Sequence, residues 1–148
     1  MRIMGPATKK KTKKKPTKPF ARGKRKEAVA RAVVVPGTGK IYFNEALVSS
    51  LSDPQLRGTI SEPLGYFASK DSVDVHVSAV GGGSSGQAQA ARTAVARALC
   101  AHAGGEARRE LSRIDRSLIV EDARRVEPKK FKGPKAREIG RASCRERV

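Results

Sequence analysis

The sequence predicts an α/β fold of the α+β kind: a small mixed sheet with helices packed on one face, and an extended basic arm at each end. Three observations carry this reading. Residues 72–80, "SVDVHVSAV", alternate apolar and polar side chains as a half-buried strand does. Residues 87–102, directly after a glycine turn, place small apolar side chains at helical spacing. Charge is divided so that the middle of the chain is neutral and both ends are cationic. Strands and helices that share one core in a chain of 148 residues make a single two-layer domain, with the remainder as arms.

The elements follow in order. Residues 1–21 read as a flexible basic arm, because "PATKKKTKKKPTKP" has almost nothing apolar to offset its ordering entropy. Its lysine cluster also fits a nuclear-localisation signal. Residues 28–35, "AVARAVVV", alternate Val29, Val33 and Val35 with small residues and read as a strand. The turn "PGTG" then returns the chain as "KIYF", residues 40–43, and the two strands are expected to form a hairpin. Asp53 before Pro54 marks a helix start, and Pro63 ends or kinks that helix about two turns later. In residues 72–80, Val73, Val75, Val77 and Ala79 form the buried face, and Asp74, His76 and Ser78 the wet one.

The helix of residues 87–102 has Ala88, Ala91, Val95, Ala98, Leu99 and His102 along its buried stripe, with Arg92 and Arg97 outside it. Gly104 and Gly105 stop it, and a further amphipathic helix is expected from Glu106 to about Ile114. A short apolar patch, "SLIV", then passes into a basic, proline-containing extension. His76 and His102 are both expected to be structural.

The formal charge of +18, from 32 Lys and Arg against 14 Asp and Glu, points to a polyanionic partner. Residues 1–26 hold twelve of the bases and no acid, whereas residues 27–107 hold six bases and seven acids. Such a layout suits a folded body whose arms follow a nucleic-acid backbone; the lesser reading is that the arms are solvated tails. No apolar segment approaches the ~20 residues of a membrane span, and the start "MRIMGPATKKK" lacks a secretory signal. A soluble intracellular protein is expected. The two cysteines, Cys100 and Cys144, form no ligand spacing, so no metal or other cofactor is expected.

The stretch "AVGGGSSGQAQAARTAVARAL", residues 79–99, asks whether its glycines hold a phosphate. A nucleotide-hydrolysing phosphate loop needs a lysine and then a hydroxyl residue after its last glycine, and Gln87 and Ala88 stand there instead. The dinucleotide-binding glycine pattern is missing too. Geometry remains: glycines admit a polymer backbone closely, and a helix start near Gly86 offers N–H groups and partial positive charge to an oxyanion. Arg92 and Arg97 are expected to extend that positive surface. The competing reading is a tight strand-to-helix connection that needs no ligand.

Four stretches in sequence order resemble the small-ribosomal-subunit protein nine family, in its archaeal-like form. They are "GKRKEAVARAVVVPGTGKIYFN" (23–44), "SEPL" (61–64), "GGGSSGQAQAARTAVARAL" (81–99) and "DRSLIVEDARRVEPKKFKGPKAR" (115–137). The resemblance implies a domain like the second domain of ribosomal protein five. It also implies no enzymatic activity and a structural place in the head of the small ribosomal subunit in the cytoplasm. The implied partners are small-subunit rRNA, neighbouring head proteins and, through the C-terminal tail, peptidyl-site tRNA; no membrane is implied. Carried onto this chain, the rRNA-binding residues are Arg22, Lys24, Arg25 and Lys26; Gly81, Gly82, Gly83, Gln87 and Arg92; and Arg124, Arg125, Lys129, Lys130, Lys132, Lys135 and Arg137.

The resemblance divides the chain into an arm (1–21), a globular domain (22–126) and a basic extension (127–137), and stops after Arg137. Back-translated, residues 138–148, "EIGRASCRERV", resemble a short-read sequencing adapter read in frame, and they are expected to be an artefact standing where the family's own tail belongs. Two other functions compete: a nucleic-acid-binding protein outside the ribosome, and a kinase on a related α/β domain.

Overall fold

The computed structural model describes residues 19–68, 70–131, 133 and 136. The expectations for the arm up to residue 18, for Lys132, Lys135 and Arg137, and for residues 138–148 lie outside the described residues. Within them, five strands, β1 (Phe20–Arg25), β2 (Ala28–Pro36), β3 (Ile41–Phe43), β4 (Ala46–Leu47) and β5 (Val73–Val80), form one sheet in the order β1-β2-β5-β3-β4. Neighbours run antiparallel except β3 and β5, which are parallel. The long helix α2 (Ser84–Ala103) lies across β1, β2 and β5, with α1 (Pro54–Ser61) and α3 (Gly105–Ile114) against it. This is the mixed sheet with helices on one face that the sequence predicts.

Several elements form for the expected reasons. Asp53 caps α1 by accepting from the Gln55 N–H at 2.9 Å, with Pro54 at the first helical position. Pro63 lies in a 3-10 turn, Glu62–Tyr66, that ends the helix. In β5, Val73, Val75, Val77 and Ala79 are buried against α2, and His76, Ser78 and Val80 are exposed. Gly104 caps the C-terminus of α2, and Leu118 and Ile119 of the apolar patch sit in the core.

Two expectations are corrected, and the core face of one strand, left open by the sequence, is assigned. First, β2 and β3 do not form a hairpin, because β5 lies between them. The hairpin partner of β2 is β1, whose Phe20 and Ala21 fall inside the segment assigned to the arm. Length decides the pairing: β2 meets β5 over eight positions, from Val29↔Val80 to Pro36↔Val73, whereas β3 has only three residues to offer. The "PGTG" turn is held by β5 instead, through Asp74 Oδ1, which accepts from the Thr38 and Lys40 N–H groups at 2.8 and 2.9 Å. Those bonds pull the Asp74 carboxyl below its ordinary pKa.

The core-facing side of β2 is Ala28, Ala30, Ala32 and Val34, and the valines at 29, 33 and 35 face the other way. Alanines there let the backbone of α2, itself alanine-rich, come close. Gly23 serves the same approach from β1: a Cβ on it would collide with Ala90 O, Thr93 Oγ1 and Ala94 N of α2. Second, His102 is exposed at the end of α2, not on a buried stripe. The helix is buried on several sides because the sheet, α1, α3 and the turn Arg116–Leu118 all pack on it.

Candidate nucleic-acid interface

The basic turn between β1 and β2 and the glycine turn between β5 and α2 lie against each other. Gly81 and Gly82 have φ of +81° and +64°, and added Cβ atoms would stand 2.7 Å from Glu27 O and 3.1 Å from Ala28 N. Those two glycines are therefore required by the close passage of two chain segments. Gly83 is not: its φ is −106°, and a Cβ there would meet nothing within 4 Å. The tight-connection reading thus explains two of the three glycines and leaves the third open to solvent.

At Gly83 the chain enters α2 without a side-chain cap, and Ser84 and Ser85 are exposed. The first N–H groups of a twenty-residue helix consequently face outward, carrying the partial positive charge of the helix end. Arg25, Lys26 and Glu27 line one shallow depression there with Gly83, Ser85 and Gln89. Gln87, expected to face the ligand, instead donates from Nε2 to Gly81 O at 3.1 Å and braces the turn from inside.

The C-terminal segment begins at the same place. Arg25 pairs with Asp122 at 3.0 Å and donates to Gln89 Oε1 at 2.8 Å and Arg124 O at 3.4 Å. Arg124 forks onto Asp122 at 2.7–3.1 Å. Hydrogen bonds from Arg124, with the Arg25 charge behind them, hold the Asp122 carboxyl well below the usual range. The basic stretch before β2, the glycine turn and the start of the C-terminal basic segment thus meet at one end of the domain.

Arg92 does not extend the positive surface as expected. Its guanidinium binds Glu62 at 2.7 Å, Asp115 at 2.9 Å and Ser117 Oγ at 3.1 Å, and its side chain is only 21% exposed. Arg97 is engaged likewise, donating to Ile119 O at 2.8 Å, Arg22 O at 2.7 Å and Glu121 Oε1 at 2.6 Å. Both arginines tie residues 115–121 onto α2. The sequence reading missed this because the acids, Glu62, Asp115 and Glu121, lie 23–30 residues away along the chain. Gly23 was missed as well, since nothing local marks which helix its strand must touch.

Among the described residues, the side chains of Arg22, Lys26, Arg31, Arg125 and Lys129 are exposed and have no hydrogen bond or ion pair. Lys130 makes a surface pair with Glu127 at 3.0 Å. No group of His, Cys, Asp and Glu that could hold a metal ion occurs among the described residues, and no helix there is long and apolar enough to cross a membrane.

An exposed, uncapped helix start beside the unpaired Lys26, on a compact sheet-and-helix body, defines the class: a basic α/β domain. The chain belongs to the ribosomal protein S9/S16 family, whose model matches residues 23–145. It is 42% identical over 118 residues to the small ribosomal subunit protein uS9 of Halobacterium salinarum, covering 78% of this chain and 89% of that protein. The chain is therefore a ribosomal protein, archaeal-like in sequence. The family match runs past Arg137 into residues 138–145.

Proposed function

We propose that this chain is a structural constituent of the small ribosomal subunit that binds rRNA at the end of the domain where its two basic segments meet the glycine turn. The carrying observation is the bare start of α2, with Gly83 open beside it and Arg25 and Lys26 adjoining. A phosphate oxygen fits the exposed N–H groups, and Lys26, Arg125 and Lys129 supply charge along the strand that follows. Residues 127–137 are a basic extension that adds charge for the RNA, and the family's own tail, in whose place residues 138–148 stand here, is what would reach peptidyl-site tRNA. Neighbouring proteins of the subunit head complete the surroundings. The adapter reading of residues 138–148 is decided by amplifying the locus across the Arg137 codon.

The test is co-sedimentation with small subunits at rising salt, comparing the full chain, a chain ending at Arg137, a chain ending at Val126 and the Gly83→Ala variant. A seated ribosomal protein persists at salt that strips nonspecific binders, which lose about 10³-fold or more between 50 and 200 mM when six or more phosphates are contacted. The chain ending at Val126 is expected to dissociate at lower salt than the chain ending at Arg137. Gly83→Ala is expected to leave the melting temperature unchanged and weaken association several-fold, because a methyl group stands in the path of the backbone. Equal retention of all four proteins overturns the proposal.

A further inference from the structure

The sheet face opposite the helices mixes aromatic and apolar side chains with cations, and among the described residues no helix packs on it. Register places Phe20, Val33, His76 and Tyr42 in one row across β1, β2, β5 and β3. The Tyr42 and His76 rings are parallel, with centroids 4.8 Å apart and planes inclined by 6°. Phe20 is 56% exposed, His76 is exposed, and both line a shallow depression with Arg31, Val33 and Tyr42. The next row of the same face sets Arg22 directly opposite Arg31. Like charges facing each other across a strand pair are unfavourable by themselves. Among the described residues neither guanidinium has an acidic partner. Glu45, exposed at the rim of the same depression, pairs with neither of them.

We infer that this open face binds unpaired RNA, with a base seated over Val33 against the free side of the His76 ring and its phosphate on Arg22 and Arg31. Strands lie about 4.8 Å apart, so His76 and Phe20, two strands apart, leave a gap of about 10 Å floored by Val33, room for one base between two rings. Along β1, Phe20 and Arg22 project on the same face about 7 Å apart, a separation that places a base and its phosphate together. Stacking of this kind accepts any base, since every base has a π-face, and double-stranded RNA cannot use it because its bases are paired. Charge selects nucleic acid over protein, because two opposed, unpaired arginines beside an aromatic row suit a polyanion that also stacks.

The inference rests on the rRNA-binding reading above, and the experiment separates the two. The chain has no Trp and two Tyr, so in a Tyr66→Phe background Tyr42 is the only tyrosine. Titration with a single-stranded hexa-adenylate is expected to perturb Tyr42 fluorescence, whereas an RNA duplex of the same length is expected not to. In that background, Phe20→Ala and His76→Ala are each expected to weaken hexa-adenylate binding at least fivefold without changing its salt slope. Arg22→Ala and Arg31→Ala are expected to lower that slope by about 0.7 each. All four side chains are exposed, and melting curves check that the variants fold. If Phe20→Ala and His76→Ala bind hexa-adenylate like the parent while co-sedimenting with small subunits, the face inference is overturned and the rRNA reading stands. If they instead lose a crosslink to a subunit protein with hexa-adenylate binding intact, a protein covers the face and the inference is likewise overturned. If the parent chain itself fails to co-sediment, the rRNA reading falls.

Discussion

The arginines of helix α2 and the cations around its first turn belong to the same basic protein and yet have opposite fates. Arg92 and Arg97 are enclosed by Glu62, Asp115 and Glu121, and they hold the segment after α3 to the domain. Lys26, Arg31 and Arg125 have no such partners among the described residues. A cation's role here is set by whether the fold brings an acid to it. Net charge of +18 says that a polyanion is wanted, and the acids say which side chains are free to meet it.

The comparison is broken most severely at the packing that brings the two regions together. Gly23→Val puts a branched side chain where Ala90 O and Ala94 N of α2 already stand, so β1 must leave the helix. A loss of about 3 kcal/mol or more is expected, the upper range for overpacking, measured by urea unfolding. RNA binding falls with it because Arg22, Arg25 and Lys26 ride on β1 and its turn.

A smaller effect separates the two kinds of cation. Arg92→Met leaves Glu62 and Asp115 facing each other without their shared partner, and about 1–2 kcal/mol of stability is expected to disappear, discounted from a fully buried pair because the side chain is partly exposed. Its direct effect on the salt slope of RNA binding is expected to be nil. Lys26→Ala should do the reverse, leaving stability within about 0.5 kcal/mol and lowering the slope by about 0.7. If Arg92→Met lowers the slope while Lys26→Ala does not, the assignment of roles is inverted.

The gentlest probe is acid. Asp74, Asp115 and Asp122 all have depressed pKa values: Asp74 through backbone N–H groups of Lys40 and Thr38, Asp115 through Ser117 and Arg92, and Asp122 through Arg124 and Arg25. A depressed carboxylate contributes stability that is complete above its unfolded pKa of about 3.9 and is lost as pH falls through the folded value. The melting temperature is expected to be insensitive to these groups above about pH 5 and to drop below about pH 4. In Asp122→Asn the acid drop is expected to be shallower and the neutral-pH melting temperature slightly lower. An unchanged acid limb removes Asp122 from the groups that set it.

Much of the fold was legible because its signals are local. The alternation in β5, the Asp53-Pro54 helix start and the Gly104 stop each depend on a few consecutive residues. The β2–β3 hairpin misled because its turn chemistry was sound while the competitor for the same strand edge, β5, lay more than thirty residues away. At the site, the glycine turn and the basic stretch before β2 were readable as separate motifs, but not their contact through Glu27 and Gly81.

By itself the amino-acid sequence determined the fold class, the neutral body with cationic flanks and the family, since these follow from composition, periodicity and ordered motifs. Only the tertiary structure decided which glycines are obligatory, which arginines are spoken for and which sheet face is left bare. Those properties belong to pairs of residues far apart in the chain, and a pair has no physical meaning until folding sets the distance between its members.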